Sequence, residues 1–518
     1  MRQNQIFNTT TIFISHPSIP IFFSKLLCIS SLPFLFAFRN FSLSPHFNYM
    51  VRIAVEGCCH GMLDAIYNLV ALDTELLIIC GDFQAIRNRL DLGALKVPPK
   101  YLTMGDFPKY YLGEKSAPVL TIFIGGNHES LLYMRELQFG GWVAPKIYYL
   151  GEYGCVWFKG LRICGASGIY SKDSFLKELS GSGPKYSLPY SREAMSGIYH
   201  TKPKNQLKLL LGGRSDVVLS HDWPLKVWDH GNTGQLLRHK PFFRQDMASG
   251  KLGSPLAGQA LHYLQPRYWF SLHLHTRFRA VVKHKEGPKR VKVDTSRALD
   301  VKNTDEIQLN MDDNELEIDM DEEIVVDEKE LAAADTTDES QVPTYENSSE
   351  EDEPKAAPIE KPAGRNLKRN VPPESGTRET VFLALDKCLP RKLFLEHMEI
   401  EPVAEHVSSH SGDLFYDPRT LAIHKVVEKF VADGHLRQFG YNDFMNVDHM
   451  EGLLLELSEK VDLVEKDFQC EPIPHNFEAI APLVLSENVR QRQQYWPNNQ
   501  TAELCKRIGL AEPDLSGY

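Results

Sequence analysis

Short apolar runs in this sequence are each followed by residues that bind metal ions, and this arrangement constrains the fold more than any other feature. The motifs are E-G-C-C-H (56–60), G-D-F (81–83), G-G-N-H-E (125–129), S-H-D-W-P (220–224) and H-L-H (273–275). The runs before them predict buried strands at Val51–Val55, Leu76–Cys80, Val119–Ile124, Val217–Leu219 and Tyr268–Phe270. Since α/β folds place their sites at the carboxyl ends of strands, we expect these motifs to converge on one edge of a sheet.

The chemistry of these side chains suits a pair of divalent transition metals. A thiolate and several imidazoles favour Zn²⁺ or Fe²⁺ over Mg²⁺, and the Asp82 carboxylate can bridge two ions. A single His or Cys is usually structural, but the ordered set at strand ends predicts a metal site. Two metals about 3.5–4 Å apart would make phosphate-ester hydrolysis possible. The candidate ligands are Cys58, His60, Asp82, Asn127, His221, His273 and His275.

Two further residues of the third motif have predicted roles. His128 follows Asn127 but should point elsewhere, which makes it the candidate general acid for a departing oxygen. Glu129 is expected to orient one of the metal-binding imidazoles through a hydrogen bond.

The charge of the chain is unevenly distributed. Residues 301–360 hold 22 Asp and Glu against three Lys, a local charge of −19, which leaves +8 for the rest of a chain whose total is −11. A mildly basic body beside an acidic tract is compatible with a nucleic-acid partner. Basic runs at 283–292 and 365–369 flank the tract and could act as nuclear import signals, so we expect a nuclear location.

The domain organisation follows from shifts in composition. Residues 1–49 contain no Asp or Glu and form an N-terminal extension, either transit-like or upstream of a functional start at Met50. The catalytic domain is predicted at 50–300 and is completed by 379–400, where Thr380–Leu385 forms another strand of the same sheet. Between them, residues 301–378 are an acidic insertion, predicted to be disordered. Residues 401–518 form a small, mainly helical domain with helices at 420–431, 450–461 and 496–510.

The nine cysteines are scattered along the chain and do not suggest a disulfide framework, which favours a reducing compartment. The apolar run at 26–38 is too short to span a bilayer, and we expect no membrane association.

The order of the motifs resembles the calcineurin-like metallophosphoesterases, except that Cys58 stands where that superfamily normally has Asp. Within the superfamily, Cys-x-His together with several longer motifs is similar to the RNA lariat debranching enzymes. The resemblance covers about 50–300 and 380–400, and more loosely the helical region. The further motifs are G-G-W-V-A-P (140–145), I-Y-Y-L-G (147–151), S-G-I-Y (167–170), F-F-R-Q (242–245), L-G-S-P (252–255) and A-L-D-K-C-L-P-R (384–391).

The resemblance implies an α/β fold, a metallophosphoesterase β-sandwich flanked by helices with a small helical C-terminal domain. It also implies hydrolysis of the 2′–5′ phosphodiester at the branch of excised intron lariats, with His128 protonating the departing 2′ oxygen. One metal would be held by Cys58, His60, Asp82 and His275, the other by Asp82, Asn127, His221 and His273. The metals expected are Fe²⁺, Zn²⁺ or Mn²⁺.

The loops between the third and fourth motifs are predicted to recognise branched RNA through aromatic stacking and phosphate contacts. The sequence departs from the family pattern at Ser196, where a basic residue is expected, at Lys202 instead of Arg, at Lys146 instead of Asn, and at Leu272 instead of a small residue. The candidate contacts are Trp142, Lys146, Tyr148, Tyr170, Lys172, His200 and Lys202.

Two other functions are compatible with parts of the sequence. A general metallophosphoesterase acting on other phosphodiesters would share the metal site but would not explain Cys58 or the loop motifs. A non-enzymatic scaffold in RNA processing would use the acidic insertion to recruit partner proteins, although the complete ligand set favours activity. The oligomeric state is not indicated by the sequence.

Overall fold

The structure, a computed structural model, describes residues 49–183, 186–284, 378–482 and 493–515. The predicted N-terminal extension and acidic insertion lie outside these residues, except for Tyr49 and Arg378. The disorder of the acidic insertion and its limits at residues 301 and 378 therefore stay predictions.

The described chain alternates short strands and helices through the catalytic region and is mainly helical after residue 417. The strands are β1 (Val51–Glu56), β2 (Leu76–Ile79), β3 (Thr121–Phe123), β4 (Gly141–Ala144), β5 (Ile147–Tyr149), β6 (Tyr153–Phe158), β7 (Leu161–Ala166), β8 (Val217–Ser220), β9 (Tyr268–Ser271), β10 (Phe278–Lys283), β11 (Glu379–Ala384), β12 (Leu395–Ile400) and β13 (Leu414–Tyr416). The helices are α1 (Leu63–Tyr67), α2 (Arg89–Leu92), α3 (Phe107–Tyr111), α4 (Leu131–Glu136), α5 (Lys172–Ser180), α6 (Arg192–Tyr199), α7 (Pro203–Leu211), α8 (Thr233–His239), α9 (Phe243–Ser249), α10 (Pro255–Leu264), α11 (Pro418–Ala432), α12 (Tyr441–Met445), α13 (Val447–Glu465) and α14 (Asn499–Ile508).

The strands form two sheets. The first has the order β12-β1-β2-β3-β5-β4, and the second has the order β10-β11-β9-β8-β7-β6-β13. Strands β1, β2, β3 and β5 are parallel, as are β7, β8, β9 and β11, while the outer strands run antiparallel. The expectation of a single sheet edge is therefore wrong, because the chain crosses to the second sheet between the third and fourth motifs.

Alternation of apolar residues along β1 explains why the sheets stack. Ile53 and Val55 belong to the cluster shared by the two sheets, whereas Ala54 packs with α1 and α3 on the outer face. Both faces of the parallel strands are buried, as continuous apolar runs predict. Helices α7, α10, α11 and α13 cover the outer face of the second sheet, so the architecture is the predicted α/β sandwich flanked by helices.

The strands after the insertion complete both sheets. β11 lies between β9 and β10 in the second sheet, and β12 pairs with β1 in the first. The strand predicted at Thr380–Leu385 is confirmed, with the partners that the sandwich requires. The segment 379–400 therefore belongs to the catalytic fold.

The C-terminal helices pack directly against the sandwich. The carboxylate of Asp417 caps α11 by accepting the Thr420 backbone N–H at 2.8 Å, and Pro418 follows at the first helical position. The Gln500 amide of α14 makes two hydrogen bonds to the backbone of Trp142, which covers the edge strand β4. All three predicted C-terminal helices are present, as α11, α13 and α14.

A disulfide joins Cys155 on β6 to Cys164 on β7, two residues that stand directly opposite each other in the ladder. The scattered cysteines did not predict this pair. In the described part of the chain, no helix is long and apolar enough to cross a bilayer.

Candidate metal centre

The predicted ligands occupy loops that leave the ends of β1, β2, β3, β8 and β9. Four of them, His60, Asp82, His273 and His275, have positive φ angles of 45°, 49°, 61° and 46°. This backbone conformation is unfavourable for residues with a Cβ, and each instance costs on the order of 1–3 kcal/mol. Strain at four residues that point to one place is typical of a functional site, where the surrounding fold holds the ligands in position.

Cys58, His60, Asp82 and His275 form a compact cluster, with one ligand atom from each lying within 4.8 Å of all the others. His60 Nε2 is 3.3 Å from His275 Nε2 and 3.9 Å from Asp82 Oδ2. Two nitrogens bound to a tetrahedral ion at about 2.1 Å would lie about 3.4 Å apart. The separations therefore fit one divalent cation between these four side chains.

A second group of donors adjoins the first through Asp82. His221 Nε2 lies 3.5 Å from Asp82 Oδ2 and 3.2 Å from Asn127 Oδ1, and its ring centroid is 5.1 Å from that of His273. The two distances from His221 Nε2, to Asp82 and to Asn127, are those of ligands that share one ion. His273 is turned so that its Nε2 lies 3.7 Å from Asp222 Oδ1, a carboxylate that the sequence analysis did not assign to the site.

The backbone fixes which nitrogen His221 offers to a metal. Its Nδ1 is 3.0 Å from the Cys80 carbonyl oxygen, which can only accept, so Nδ1 carries the hydrogen and Nε2 presents a lone pair. The imidazole passes so close to Gly81 that a Cβ there would lie 2.2 Å from Nδ1, and a Cβ on Gly126 would lie 2.2 Å from Asp82 Oδ1. These glycines are therefore required by the close approach of the ligands.

Burial and neighbouring charges put most of these groups in the protonation state that metal binding needs. Burial lowers the pKa of His60 to about 4 and that of His273 to about 3, so both rings are neutral at pH 7. Burial alone would raise the pKa of Asp82, but neighbouring imidazoles, led by His221, hold it well below its usual range. Burial and then the charge of Asp82 raise the pKa of the Cys58 thiol, a balance that a bound cation reverses.

His128 lies beside the second group of donors, and each of its two ring nitrogens is within hydrogen-bond distance of another residue. Its backbone N–H donates to Asp82 Oδ1 at 2.9 Å, while Nδ1 is 3.2 Å from the Lys96 carbonyl oxygen and Nε2 is 3.1 Å from Asn127 Nδ2. The ring is half-buried and belongs to the same loop as Asn127, which fits the position predicted for a proton donor.

The predicted role of Glu129 needs correction. Its carboxylate accepts hydrogen bonds from the backbone N–H groups of Phe83, Gln84 and Gly126 at 2.7, 2.9 and 3.1 Å. Burial raises its pKa to about 8, and the charge of Asp82 adds to that increase. Glu129 therefore ties the loop after β2 to the loop after β3, and the structure shows no imidazole among the contacts described for it.

Several predicted RNA contacts lie in the interior. Trp142 is 1% exposed, donates its indole N–H to the Pro474 carbonyl at 2.7 Å and packs edge-on against the buried Tyr148. Neither ring offers a face to a base, so assigning these two residues to RNA binding is wrong. The buried Lys202 forms an ion pair with Glu152, which likewise removes its charge from the surface.

The remaining candidates divide by position. Lys146 is exposed, but its carbonyl accepts from Thr121 at the start of β3, the opposite end of the strand from Asn127, so it does not belong to this site. His200 is buried, with Nδ1 2.6 Å from the Ser174 hydroxyl.

Tyr170 adjoins the candidate metal centre through its backbone, whereas its hydroxyl and the Lys172 ammonium lie against Tyr441 of α12. The Tyr170 backbone N–H donates to Asp222 Oδ2 at 2.6 Å, and Lys172 follows two residues later at the start of α5.

Asp222 could have been proposed from its place in the S-H-D motif, whereas the contact between Lys96 and His128 has no signal in the sequence.

The two stacked sheets flanked by helices are those of a metallophosphoesterase fold, and the donor set at their edge could hold a metal ion. Comparison with known proteins gives a narrower class. Residues 377–513 match the family model described as the C-terminal domain of lariat debranching enzyme. The chain is 40% identical over 473 residues to the lariat debranching enzyme of Schizosaccharomyces pombe, covering 89% of this chain and 96% of that protein.

Other relatives agree. The lariat debranching enzyme of Homo sapiens is 34% identical over 474 residues, covering 89% of this chain and 70% of that protein. The enzyme of Saccharomyces cerevisiae is 38% identical over 376 residues, covering 71% of this chain and 82% of that protein. The chain therefore belongs to the lariat debranching enzyme family, and the resemblance drawn from its motifs is confirmed.

Proposed function

We propose that this protein hydrolyses the 2′–5′ phosphodiester bond at the branch of lariat RNA, and that the reaction depends on two divalent metal ions. The observation that supports this most strongly is the cluster of Cys58, His60, Asp82 and His275 in a chain whose relatives are named lariat debranching enzymes. Removing the 2′-linked branch would convert an excised lariat into a linear RNA.

The donor set suits Fe²⁺, Zn²⁺ or Mn²⁺. Cys58, His60, Asp82 and His275 would hold one ion, and Asp82, Asn127, His221 and His273 would hold the other. Such a pair supplies Lewis acidity and a nucleophilic water at neutral pH. The separations within the first cluster support this assignment because they match those of ligands that share one ion.

His128 would provide the proton that the departing 2′ oxygen needs. Its ring is held by the Lys96 carbonyl at Nδ1, so Nε2 is the nitrogen available for proton transfer. Its backbone N–H donates to Asp82 Oδ1, so the position of the acid depends on that of the Asp82 carboxylate. As the bond from phosphorus to the 2′ oxygen breaks, that proton would pass from Nε2 to the oxygen.

Branched RNA would be held by residues bordering the metal centre. Tyr170, whose backbone N–H donates to Asp222, and Lys172 at the start of α5 would offer an aromatic ring and a positive charge to bases and phosphates. Buried Trp142, Tyr148 and Lys202 would act indirectly by packing the sheet edge and α7 behind that surface.

The protein would work in the nucleus, where the basic runs at 283–292 and 365–369 could direct import. Its acidic tract could contact basic RNA-processing proteins. A fluorescent fusion with both basic runs changed to glutamine tests the location: loss of nuclear signal is expected, and unchanged nuclear signal would contradict the role of these runs.

The experiment that tests the function uses the full chain purified without chelator. The substrate is an RNA in which one adenosine carries both a 2′–5′ and a 3′–5′ linkage, incubated with Fe²⁺, Zn²⁺ or Mn²⁺. We expect release of the 2′-linked arm alone, with a 5′ phosphate on that arm. Hydrolysis of a generic aryl phosphodiester with an intact branch would instead indicate a broader metallophosphoesterase.

A matched variant distinguishes the proposed enzymatic function from that of a non-enzymatic scaffold. Asn127→Ala removes one donor of the second group and is expected to eliminate release of the arm. A protein that binds metal and branched RNA but cleaves neither substrate, with or without Asn127, would contradict the proposed activity and favour a scaffold.

A further inference from the structure

The His128 ring is positioned by a segment that is not part of the metal centre. The Lys96 carbonyl oxygen lies 3.2 Å from His128 Nδ1 and can only accept a hydrogen bond. It therefore keeps the hydrogen on Nδ1 and orients the ring so that Nε2 faces Asn127. By holding one hydrogen on Nδ1, this carbonyl leaves Nε2 as the nitrogen that can carry the proton to be transferred.

That carbonyl lies in irregular backbone. Residues 94–98 fall between α2 and a short 3-10 turn at Pro99–Tyr101 and belong to no helix or strand. The local backbone bonds, such as Val97 N–H to the Leu95 carbonyl at 3.2 Å, span only two or three residues. Some other interaction must fix this segment if it is to hold the ring.

The Lys96 side chain supplies such an interaction. Its ammonium donates to Ser196 Oγ at 2.5 Å and to Tyr199 Oη at 3.0 Å, both on α6. The Ser196 hydroxyl in turn donates to the Arg192 carbonyl one turn earlier in the helix, at 3.3 Å. Lys96, Ser196 and Tyr199 are half-buried, so these contacts are partly shielded from water.

Helix α6 is itself packed against the helix that follows His128. Ala94, Leu131 and Leu132 share one apolar cluster with Ala194 and Ile198 of α6. Leu131 and Leu132 begin α4, three and four residues after His128. These contacts connect His128 to the Lys96 carbonyl, the Lys96 ammonium to α6, and α6 to α4, the helix that follows His128.

We propose that Lys96 is a positioning residue for the proton donor His128, holding the imidazole through its carbonyl while its ammonium fixes that carbonyl to α6. This inference rests on the proposed role of His128. Displacement of a catalytic group by about 1 Å can reduce a rate by about 100-fold, so a side chain without contact to substrate can affect turnover.

The test is the variant Lys96→Met in the full chain, which keeps an unbranched side chain one atom shorter and removes the ammonium. We expect kcat for release of the 2′-linked RNA arm to fall by about tenfold or more, with KM changed by less than about twofold. Lys96→Arg should restore most of the rate because it keeps a cation of similar reach. Lys100→Met removes a positive charge from the adjoining 3-10 turn and serves as the control.

A second substrate distinguishes misplacement of the His128 acid from a general loss of activity at the metal centre. Bis(p-nitrophenyl) phosphate releases p-nitrophenolate, which departs without being protonated, so its metal-dependent hydrolysis should be nearly unchanged in Lys96→Met. Equal losses on both substrates, or full debranching by Lys96→Met, would overturn the inference. Wild-type protein that fails to debranch at all would instead overturn the proposed function.

If Lys96→Met does not fold, Tyr199→Phe removes only one of the two acceptors on α6. The same selective loss of debranching, smaller in size, is then expected. An unchanged debranching rate in the folded Tyr199→Phe variant, or equal losses on both substrates, would overturn the inference.

Discussion

Arg87 forms a buried ion network that braces the loops carrying Asp82 and His128. Its guanidinium makes two hydrogen bonds to Asp91, at 2.8 and 3.0 Å, and two to Glu136, at 2.6 and 2.9 Å. All three residues are 1% exposed or less, and the guanidinium carbon lies 3.9 Å from the centroid of the Tyr133 ring. The network joins the loop after β2 to α4, which follows the loop after β3.

Replacing Arg87 with Met should therefore destabilise the protein strongly. The substitution keeps most of the apolar volume but leaves two buried carboxylates without their cation. Breaking a buried pair in this way costs about 3–5 kcal/mol. At roughly 2–4 °C per kcal/mol for a large domain, the midpoint of thermal unfolding should fall by about 10 °C.

The free energy of unfolding is measured by urea titration of the full chain, followed by far-UV circular dichroism. Lys460→Met is the control, because Lys460 and Glu456 form a surface pair whose side chains are 53% and 58% exposed. Loss of that pair should change stability by only about 0.3–0.5 kcal/mol.

A third variant tests whether the unpaired buried carboxylates cause the loss of stability. In the Arg87→Met background, Glu136→Gln removes one of the two uncompensated carboxylates and should recover part of the lost stability. A loss below about 1 kcal/mol for Arg87→Met, or further destabilisation on adding Glu136→Gln, would refute the reasoning that unpaired buried charge is responsible.

Three further substitutions address the metal centre. His128→Ala should abolish debranching while metal content and binding of branched RNA persist; a normal rate would contradict its role as the acid. Cys58→Asp should permit hydrolysis but change which of Fe²⁺, Zn²⁺ and Mn²⁺ gives the highest rate, and an unchanged order would show that the thiolate does not set it. Gly126→Ala should lower bound metal and activity at least tenfold, because its Cβ would lie 2.2 Å from Asp82 Oδ1; metal analysis of the folded variant checks this.

Local features of the chain were predictable from the sequence. The strands β1, β2, β3, β8, β9 and β11 are short apolar runs, each ended by Gly or a polar residue, and the structure places all of them within about two residues. The proximity of Cys58, His60, Asp82 and His275 was equally predictable, because each lies in a loop that follows the end of a strand. Such patterns depend on residues near one another in sequence.

Features that depend on distant residues were not predictable. The family resemblance implied a sandwich, but which strands belong to which sheet depends on where the β4–β7 segment turns, and the apolar pattern is the same on either side. Trp142 and Lys202 are of types common in RNA-binding loops, but Pro474 and Glu152, far away in sequence, hold them in the interior. The same is true of Lys96, whose importance depends on the position of α6.

The most direct test of the account is a metal titration of debranching activity. The full chain is stripped with chelator, metal is added back in known equivalents, and release of the 2′-linked arm from branched RNA is followed. We predict no release without metal and a rate that saturates near two equivalents per chain, with Asp82→Asn unable to recover. Debranching that survives complete removal of metal would contradict the assignment of this cluster as the reactive centre.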